Sequence, residues 1–291
     1  MDFLVNKIVI PAAGLGTRLF PATKEQPKEM LPIFANSFNS GMLVKPVVQL
    51  VFEQLHEAGL REFCFVVGRG KRVIEDHFTP DPQCIASLEG SGKNGQALDF
   101  EKFYEKLRTS TMMWVNQPEP KGFGNAVLMA KPFIQNEEFF VHAGDSCIIS
   151  EHMDYIKRLL SVNKRFGADA AFIVLEIENP KQYGIVEGAE VETGIINVHK
   201  VVEKPEKPKS NLAIMAMYIF KPVILKALET TEPGINGEIQ LTDAIQKLVD
   251  WGLKVYAVKL DTGYSHLDIG SPERYWKALE LSHQHFCRRQ K

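Results

Sequence analysis

The sequence predicts an α/β fold, in which a mixed and mostly parallel sheet is flanked by helices and followed by an antiparallel part. The run 7–10 is short, apolar and largely β-branched, which indicates a buried parallel strand. The order strand, loop, helix and strand across 7–67 implies a right-handed crossover within a parallel sheet. After residue 183 the pattern changes to alternating segments with Gly turns, which is typical of antiparallel ribbon. A Rossmann-like half is therefore expected to precede a mixed region.

Hydrophobic periodicity and turn residues predict the elements of the first half. Strands are expected over 7–10, 62–67, 112–115 and 139–143. Helices are expected over 46–58, about 98–107 and 126–131, and a short helix is expected to end at Phe78. Residues 79–95 contain two Pro and three Gly, so we expect an irregular insertion there.

The second half continues with helices and with longer strands. Helices are expected over 154–166, from 237 onward and from about 271, and strands over 169–177, 183–186, 194–203, 212–220 and 253–258. On the last helix a stripe is expected to pack on the core, formed by Trp276, Leu279, His283 and Phe286. Because no low-complexity linker or internal repeat divides the chain, we expect a single domain over 1–291.

Composition excludes several classes of protein. Apolar residues make up 45% and charged residues 24% of the 291 residues, which is typical of a globular chain rather than a disordered one. No run approaches the length of a membrane span, and the net charge of −2 gives no reason to expect nucleic acid. The four cysteines form no C-x-x-C pair, so neither a structural zinc nor a disulfide framework is expected. Because the start of the chain has no signal-peptide layout, we expect a cytoplasmic protein.

The loop after the first strand has the properties of a phosphate-binding loop. Ala12, Ala13, Gly14 and Gly16 leave its backbone N–H groups accessible, and three cations follow at Arg18, Lys24 and Lys28. A triphosphate requires both backbone donors and several positive charges.

Two common phosphate loops do not fit this stretch. The dinucleotide fingerprint fails because Leu19 occupies its third glycine position, and the P-loop pattern is absent. What is left is Gly14-x-Gly16-x-Arg18, with Lys28 following within the motif of residues 27–32. An ordinary βα loop with surface lysines is the alternative.

In order along the chain, a set of motifs resembles the sugar-phosphate nucleotidyltransferase family, in particular its bacterial-type uridylyltransferases, which make UDP-glucose. The motifs are IPAAGLGTR at 10–18, PKEMLP at 27–32, KGFG at 121–124, YG at 183–184, VEKP at 202–205, SNLAI at 210–214 and EIQLTDA at 238–244.

This resemblance implies the nucleotide-diphospho-sugar transferase fold. Its nucleotide-binding half would cover about 1–150 and its sugar-phosphate-binding half about 151–270, with a C-terminal helix over about 271–291. It also implies an enzyme that transfers a uridylyl group from UTP to glucose 1-phosphate by Mg²⁺-dependent in-line displacement and releases pyrophosphate. We expect a homo-oligomer, a dimer or tetramer, with no nucleic-acid or membrane partner.

By the same resemblance, the first loop would hold the nucleotide. Ala13 and Gly14 would meet the base through backbone groups, while Gly16, Arg18 and Lys28 would hold the triphosphate.

Gln117 would read uracil, because its amide offers one acceptor and a donor pair to a pyrimidine-dione edge. Gly122 would let the base lie flat. A solvated turn residue is the alternative for Gln117.

The sugar phosphate would be bound in the second half. Gly184, which follows Tyr183, and Glu203 would hold glucose hydroxyls, since a carboxylate accepts hydrogen bonds from sugar O–H groups. Lys204 would bridge the sugar phosphate and the α-phosphate, where two anions must approach each other. A surface lysine in a turn before Pro205 is the alternative.

Asp145 and Asp268 would hold the metal by this resemblance. Asp145 follows a strand at the carboxyl edge of the sheet, where open α/β folds place ligands. Mg²⁺ prefers few carboxylates together with phosphate oxygens and water. Asp145 could instead be a turn or N-cap residue, and Asp268 could cap the helix that begins near Ser271. Arg18, Lys28, Asp145 and Lys204 are the expected catalytic residues.

The chain departs from the family pattern at two places. Ala216 and Met217 stand where the uridylyltransferases tend to have Gly-Arg, and the segment 37–44 is longer than the usual turn. A thymidylyltransferase on the same scaffold is the nearest alternative, although Ala12, Ala13 and the segment at Glu238 favour uridylyl transfer. A non-catalytic nucleotide-binding regulator would be expected to lack Asp145 or Lys204, and a dehydrogenase is disfavoured by the failed fingerprint.

Overall fold

Strands and helices alternate along most of the chain, in a computed structural model that describes residues 5–38, 41–151 and 154–288. The strands are β1 (Lys7–Pro11), β2 (Pro32–Asn36), β3 (Met42–Pro46), β4 (Glu62–Val67), β5 (Thr111–Asn116), β6 (Phe139–His142), β7 (Ser146–Ile149), β8 (Ala170–Glu176), β9 (Gly184–Glu192), β10 (Ile195–Glu203), β11 (Leu212–Phe220), β12 (Val255–Lys259) and β13 (Ser265–Asp268). The α-helices are α1 (Val47–Glu57), α2 (Arg72–His77), α3 (Pro82–Gly90), α4 (Asn94–Arg108), α5 (Phe123–Met129), α6 (Lys131–Ile134), α7 (Tyr155–Phe166), α8 (Val223–Glu229), α9 (Leu241–Asp250) and α10 (Pro272–Arg288).

One nine-stranded sheet organises these elements, in the order β5-β4-β1-β6-β11-β8-β12-β10-β9. The strands β5, β4, β1 and β6 are parallel, as are β8 and β12, whereas β11 runs antiparallel between β6 and β8. The ribbon of β9 and β10 is antiparallel and closes the far edge. The expected mixed and mostly parallel sheet is confirmed.

Both faces of the sheet are covered. Ile8 and Ile10 in β1 belong to a core cluster with α1, α4 and α7, whereas Val9 between them belongs to a cluster with α5, α8 and α9. A parallel strand that is buried on both sides has to be apolar at every position, because successive side chains point to opposite faces. This explains why residues 8–11 of the first strand form an unbroken apolar run.

Two short antiparallel pairs lie outside the main sheet. In the first pair, β2 and β3 form a hairpin that includes much of the segment 37–44; residues 39 and 40 lie outside the described part. In the second, β7 pairs with β13 so that Ser146 faces Asp268. This pairing brings the chain after β6 next to the chain before α10.

The expected irregular insertion at 79–95 is wrong, because α3 and the start of α4 occupy it. The side chain of Asp81 accepts hydrogen bonds from the N–H groups of Gln83 (3.0 Å) and Cys84 (3.1 Å), and Pro82 is the first helical residue. An aspartate cap followed by proline is a helix-start signal. It outweighs the glycines and prolines that suggested a loop.

Two other expectations about helices need correction. α9 begins at Leu241, and a 3₁₀ turn with Asn236 in the left-handed region (φ 60°) precedes it. On α10 the side chain of Trp276 is 69% exposed, while Ala278, Ser282 and Phe286 are buried. The buried face of this helix is therefore rotated away from Trp276.

Two further observations concern the cysteines and the helices. Cys64 and Cys147 are buried, and the cysteines of the described chain are all unpaired. None of the helices described here combines the length and apolar character needed to cross a membrane.

Buried histidines make the stability of the fold pH-dependent. Burial lowers the pKa of His142 in β6 from 6.5 to about 4. Because the folded state binds its proton less readily than the unfolded state, this contribution to stability is present above pH 6.5 and is lost as the pH falls towards 4. We expect His142 to account for about 2 kcal/mol of the unfolding free energy lost between pH 7 and pH 5.

Denaturant unfolding at the two pH values measures this effect. His142→Leu should show a smaller loss than the wild type, while His199→Leu, at an exposed position of β10, should retain the full loss. An equal loss in the wild type and His142→Leu would contradict the role of His142.

Candidate active site

A cleft of about 690 Å³ lies beside the carboxyl ends of β1 and β6. The structure brings together in its lining most of the site residues predicted from the sequence: Ala13, Gly14, Gly16, Arg18, Lys28, Gln117, Gly122, Asp145, Gly184, Glu203, Lys204 and Asp268. Lys24, which the sequence suggested as a third cation of the first loop, is not in the lining, and its side chain is exposed. The strand order explains why the residues that follow β1, β5 and β6 meet in the cleft, since parallel strands place the loops that follow them at one edge of the sheet.

Two hydrogen bonds and the conformation of Gly16 fix the backbone of the loop after β1. The N–H of Ala12 donates to Val66 O (2.8 Å), and the Thr23 hydroxyl donates to Gly16 O (2.8 Å). Gly16 has a left-handed φ of 68°, where a Cβ would lie 3.3 Å from Thr23. A glycine is therefore required at position 16. The backbone at Gly14 faces Lys28, because a Cβ built on Gly14 would lie 3.6 Å from Lys28 Nζ.

A partly buried ion pair joins this region to the turn after β6. Lys28 Nζ donates to Asp145 Oδ2 in a short hydrogen bond. Burial alone would lower the pKa of Lys28 and raise that of Asp145, but their mutual attraction outweighs it. The pKa of Lys28 is therefore above its ordinary value and that of Asp145 below it, so both groups are charged.

A second ion pair, which is buried, supports the pair of Lys28 and Asp145. Lys71 Nζ lies 2.8 Å from Glu29 Oε2, with both side chains almost fully buried. Burial raises the pKa of Glu29, although the ammonium groups of Lys71 and Lys28 pull it down. A Cβ at Gly144 would lie 3.4 Å from Glu29 Cγ and 3.3 Å from Pro11 O, so Gly144 permits the close approach of these chains.

Asp268 lies beside Asp145 because of the ribbon between β7 and β13. The N–H of Ile269 donates to Asp145 O (3.2 Å). The carboxylate of Asp268 accepts hydrogen bonds from Gly270 N (2.7 Å) and from Arg274 Nη1 (2.5 Å). Ser271 Oγ, and not Asp268, accepts from Arg274 N at the start of α10 (3.3 Å), so the alternative of a capping Asp268 is not supported.

These two carboxylates line the cleft on paired segments, and together they could hold a divalent ion. No cluster of three or more His, Cys, Asp or Glu suited to a metal occurs among the residues that the structure describes. Two carboxylates are a typical protein contribution to Mg²⁺, which takes its other ligands from phosphate and water.

The Gln117 amide is fixed from inside the protein. Its Nε2 donates to Gly122 O (3.2 Å) and to Asn125 Oδ1 (2.7 Å). A backbone carbonyl can only accept, so the orientation of the amide is determined. Both hydrogens are therefore used, and Oε1 has no donor among the described residues. The expectation that Gln117 offers a donor pair to the base is corrected to a single acceptor.

Gly122 is required by the protein as well as by any flat ligand. It has φ 101°, and a Cβ would lie 2.7 Å from Glu238 Cβ and 2.9 Å from Ile239 O. The backbone also pairs here, because Ile239 N donates to Lys121 O (2.8 Å). The 121–124 loop thus packs directly on the segment before α9.

Glu203, the last residue of β10, and Lys204 also line the cleft. An extra pairing of Ala213 with Ile185 connects β9 to β11 and brings this part of the ribbon to the cleft. Lys204 Nζ lies 2.9 Å from Glu203 Oε1, and the Thr242 hydroxyl donates to Glu203 Oε2 (2.7 Å). A Cβ at Gly184 would lie 3.0 Å from Thr242 Oγ1, so Gly184 leaves room beside the carboxylate.

Three polar residues of this region were assigned no role from the sequence. Thr242 orients Glu203, and it lies within the motif 238–244. Lys71 lies in the turn after β4, so its place at the carboxyl edge could have indicated it. Arg274 touches Asp268 from six residues away, but no sequence pattern distinguishes it from a surface arginine on a helix.

A family model described as nucleotidyl transferase matches residues 7–285. The chain belongs to the nucleotidyl transferase family. The resemblance seen in the sequence motifs and the expected fold class are thereby confirmed.

Relatives of this nucleotidyl transferase agree in name. A UTP–glucose-1-phosphate uridylyltransferase of Pseudomonas aeruginosa is 36% identical over 289 residues, covering 97% of this chain and 98% of that protein. One of Bacillus subtilis is 40% identical over 246 residues, covering 84% and 80%. A solved UDP-glucose pyrophosphorylase complexed with UDP-glucose has a TM-score of 0.82 at 31% identity, covering 98% and 99%. A UTP-bound UGPase from Acinetobacter baumannii has a TM-score of 0.81 at 31% identity, covering 95% and 93%.

The departure at Ala216 has a structural consequence. Its φ of 45° lies in the left-handed region, where the register of β11 is interrupted between Ile214 and Tyr218. The carbonyl of Ala216 accepts from Ala143 N (3.0 Å), which ties β11 to the turn before Asp145. A glycine would adopt this conformation without a Cβ clash, which explains the family's preference there.

We therefore expect Ala216→Gly to stabilise the protein by about 1 kcal/mol, since relief of strain exceeds the added entropy of the unfolded chain. Denaturant unfolding measures this. Ala213→Gly, in a regularly paired part of the same strand, should instead destabilise. A loss of stability at both positions would show that Ala216 is not strained.

Proposed function

We propose that this cleft transfers a uridylyl group from UTP to glucose 1-phosphate and yields UDP-glucose and pyrophosphate. The observation that carries the proposal is that two charged pairs, Lys28 with Asp145 and Lys204 with Glu203, line one cleft that also contains the fixed acceptor of Gln117. The names of the relatives support the same reaction.

The reaction follows from positioning and charge. Backbone N–H groups at Gly14 and Gly16, with Arg18 and Lys28, hold the triphosphate. An oxygen of glucose 1-phosphate attacks the α-phosphorus, the bond to the bridging oxygen breaks, and pyrophosphate leaves with the electron pair. Lys204 lies between the two anions and lowers their repulsion, while Glu203 accepts hydrogen bonds from glucose hydroxyls. No covalent intermediate on the protein is required.

Asp145 and Asp268 are proposed to hold Mg²⁺, and the pair of hard oxygen donors fits this ion. When bound, Mg²⁺ supplies positive charge that screens the triphosphate from the sugar phosphate. Asp145 is paired with Lys28 in the free protein, so its carboxylate becomes available when Lys28 turns to the triphosphate.

The single acceptor of Gln117 gives a base preference. Uracil carries a hydrogen on N3, whereas cytosine presents a lone pair there and would leave two acceptors facing each other. UTP should therefore exceed CTP by about 10²-fold or more in kcat/KM, and purine nucleotides should react poorly because of their size. Pyrophosphate release over a set of nucleotides with glucose 1-phosphate measures this, and it also tests the proposed reaction.

Asn125→Leu removes one of the two acceptors that fix the amide, so it should reduce the preference for UTP over CTP. Equal use of CTP and UTP by the wild type would refute the assignment of Gln117. Thymine carries the same N3 hydrogen, so thymidylyl transfer is the alternative, and a comparison of dTTP with UTP in this assay distinguishes the two.

The two lysines should differ in the substrate that they affect. Lys28→Ala and Lys204→Ala should each lower kcat by on the order of 10²–10³, the usual effect of one electrostatic contact to a transition state. Lys28→Ala should also weaken UTP binding, whereas Lys204→Ala should raise the KM for glucose 1-phosphate. Steady-state kinetics and UTP titration calorimetry measure both effects.

Lys24→Ala is the matched control, because Lys24 follows the same loop with its side chain 72% exposed. It should leave both parameters within about twofold, a change worth less than about 0.5 kcal/mol. A Lys204→Ala enzyme with normal kinetics for glucose 1-phosphate would show that Lys204 is a surface residue.

Three expectations stay predictions: a cytoplasmic location, a homo-oligomer, and a single domain whose halves bind nucleotide and sugar phosphate. We propose them on the sequence pattern alone.

A further inference from the structure

Arg274, on the first turn of α10, touches both parts of the cleft. Its Nη1 donates to Asp268 Oδ2 (2.5 Å), and its Nη2 donates to Gln182 Oε1 in a short hydrogen bond. The guanidinium also lies over the ring of Tyr183, with 4.7 Å from its central carbon to the ring centroid. The side chain is only 21% exposed.

The contacts of Arg274 continue into the sugar-phosphate side. Gln182 and Tyr183 directly precede Gly184, whose Cβ position faces Thr242 and Glu203. The carbonyl of Tyr183 accepts from Lys204 N (3.0 Å). Arg274 therefore contacts a segment, Gln182–Tyr183, that is hydrogen-bonded to the backbone of Lys204, the residue proposed to lie between the two phosphates.

The contacts of Asp268 leave it able to bind a metal. Each carboxylate oxygen can accept about two hydrogen bonds or ligand contacts. Gly270 N uses one position on Oδ1 and Arg274 uses one on Oδ2. Arg274 thus orients the Asp268 carboxylate, and it does not fill the remaining lone pairs.

We propose that Arg274 is a positioning residue that fixes the Asp268 carboxylate relative to the Gln182–Tyr183–Gly184 segment, so that the metal site and the sugar-phosphate site form together. This inference rests on the proposed function. Arginine suits the role because its planar guanidinium can donate to two acceptors at a fixed angle while it stacks on an aromatic ring. A lysine ammonium cannot make all three contacts.

Loss of Arg274 has a distinctive consequence. Asp268 loses an oriented donor and the segment before Gly184 loses two contacts, whereas Gln117 and the first loop are untouched. Metal affinity and the KM for glucose 1-phosphate should therefore change together, and UTP affinity should not. Second-sphere groups of this kind typically affect metal affinity or activity by about 10–100-fold.

The experiment compares Arg274→Met, Arg274→Lys and Gln182→Ala with the control Lys277→Met, whose side chain is 60% exposed on the same helix. Mn²⁺ binding to the enzyme with UTP, followed by electron paramagnetic resonance, measures the metal site without turnover. Kinetics give KM for each substrate, and thermal unfolding checks that each variant is folded.

Arg274→Met should weaken Mn²⁺ binding and raise the KM for glucose 1-phosphate, each about tenfold or more, while UTP affinity measured without a metal ion stays within about twofold. Arg274→Lys should recover the Mn²⁺ affinity in part but not the KM, because it keeps the charge and loses the fork. Gln182→Ala, which removes only the sugar-side contact, should raise the KM alone. Lys277→Met should match the wild type.

A change in only one of the two parameters in Arg274→Met, or full recovery in Arg274→Lys, would overturn the proposal. If Arg274→Met does not fold, Arg274→Lys and Gln182→Ala decide it, since normal values in both exclude the link. Failure of the proposed function would be visible in the wild type, as an absence of pyrophosphate release from UTP and glucose 1-phosphate.

Discussion

The partly buried ion pair of Lys28 with Asp145 is the interaction on which the site depends. It joins the segment after the first loop to the turn after β6, and both partners are charged although burial opposes this. A buried charge without its partner is costly, so the two segments are held together in the free protein. In the proposed reaction the same two charges would bind a triphosphate and a divalent ion.

Several close backbone contacts keep this pair in place. Gly144 lets the turn approach Glu29 and Pro11, and Glu29 is neutralised by Lys71 from the turn after β4. Ala216 accepts a hydrogen bond from Ala143, at the cost of a left-handed backbone conformation in β11. The strain and the buried charges are concentrated where the chain holds Asp145, a pattern common at functional sites.

Much of this arrangement was predictable from local patterns. The apolar run of β1, the bare backbone from Ala12 to Gly16 and the carboxyl-edge position of Asp145 follow from side-chain period and parallel topology. The motifs that resemble a known family identified residues of the second half, including Glu203 and Lys204, and all of these line the cleft. By contrast, the glycines and prolines at 79–95 suggest a loop, although Asp81 followed by Pro82 is the signal that begins the helix at 82–90.

The sequence by itself determined the class of fold, the bare backbone and positive charge of the first loop, and the residue types of the cleft, since these depend on periodicity, backbone freedom and charge. Only the tertiary structure decided how those groups are paired. Gln117 presents an acceptor because Gly122 and Asn125 use its hydrogens, and Trp276 is exposed because α10 packs through Ala278 and Ser282. Arg274 gains its partners only when β13 and the start of β9 come together. Such contacts join residues far apart in the chain, and their geometry leaves no periodic pattern in the sequence.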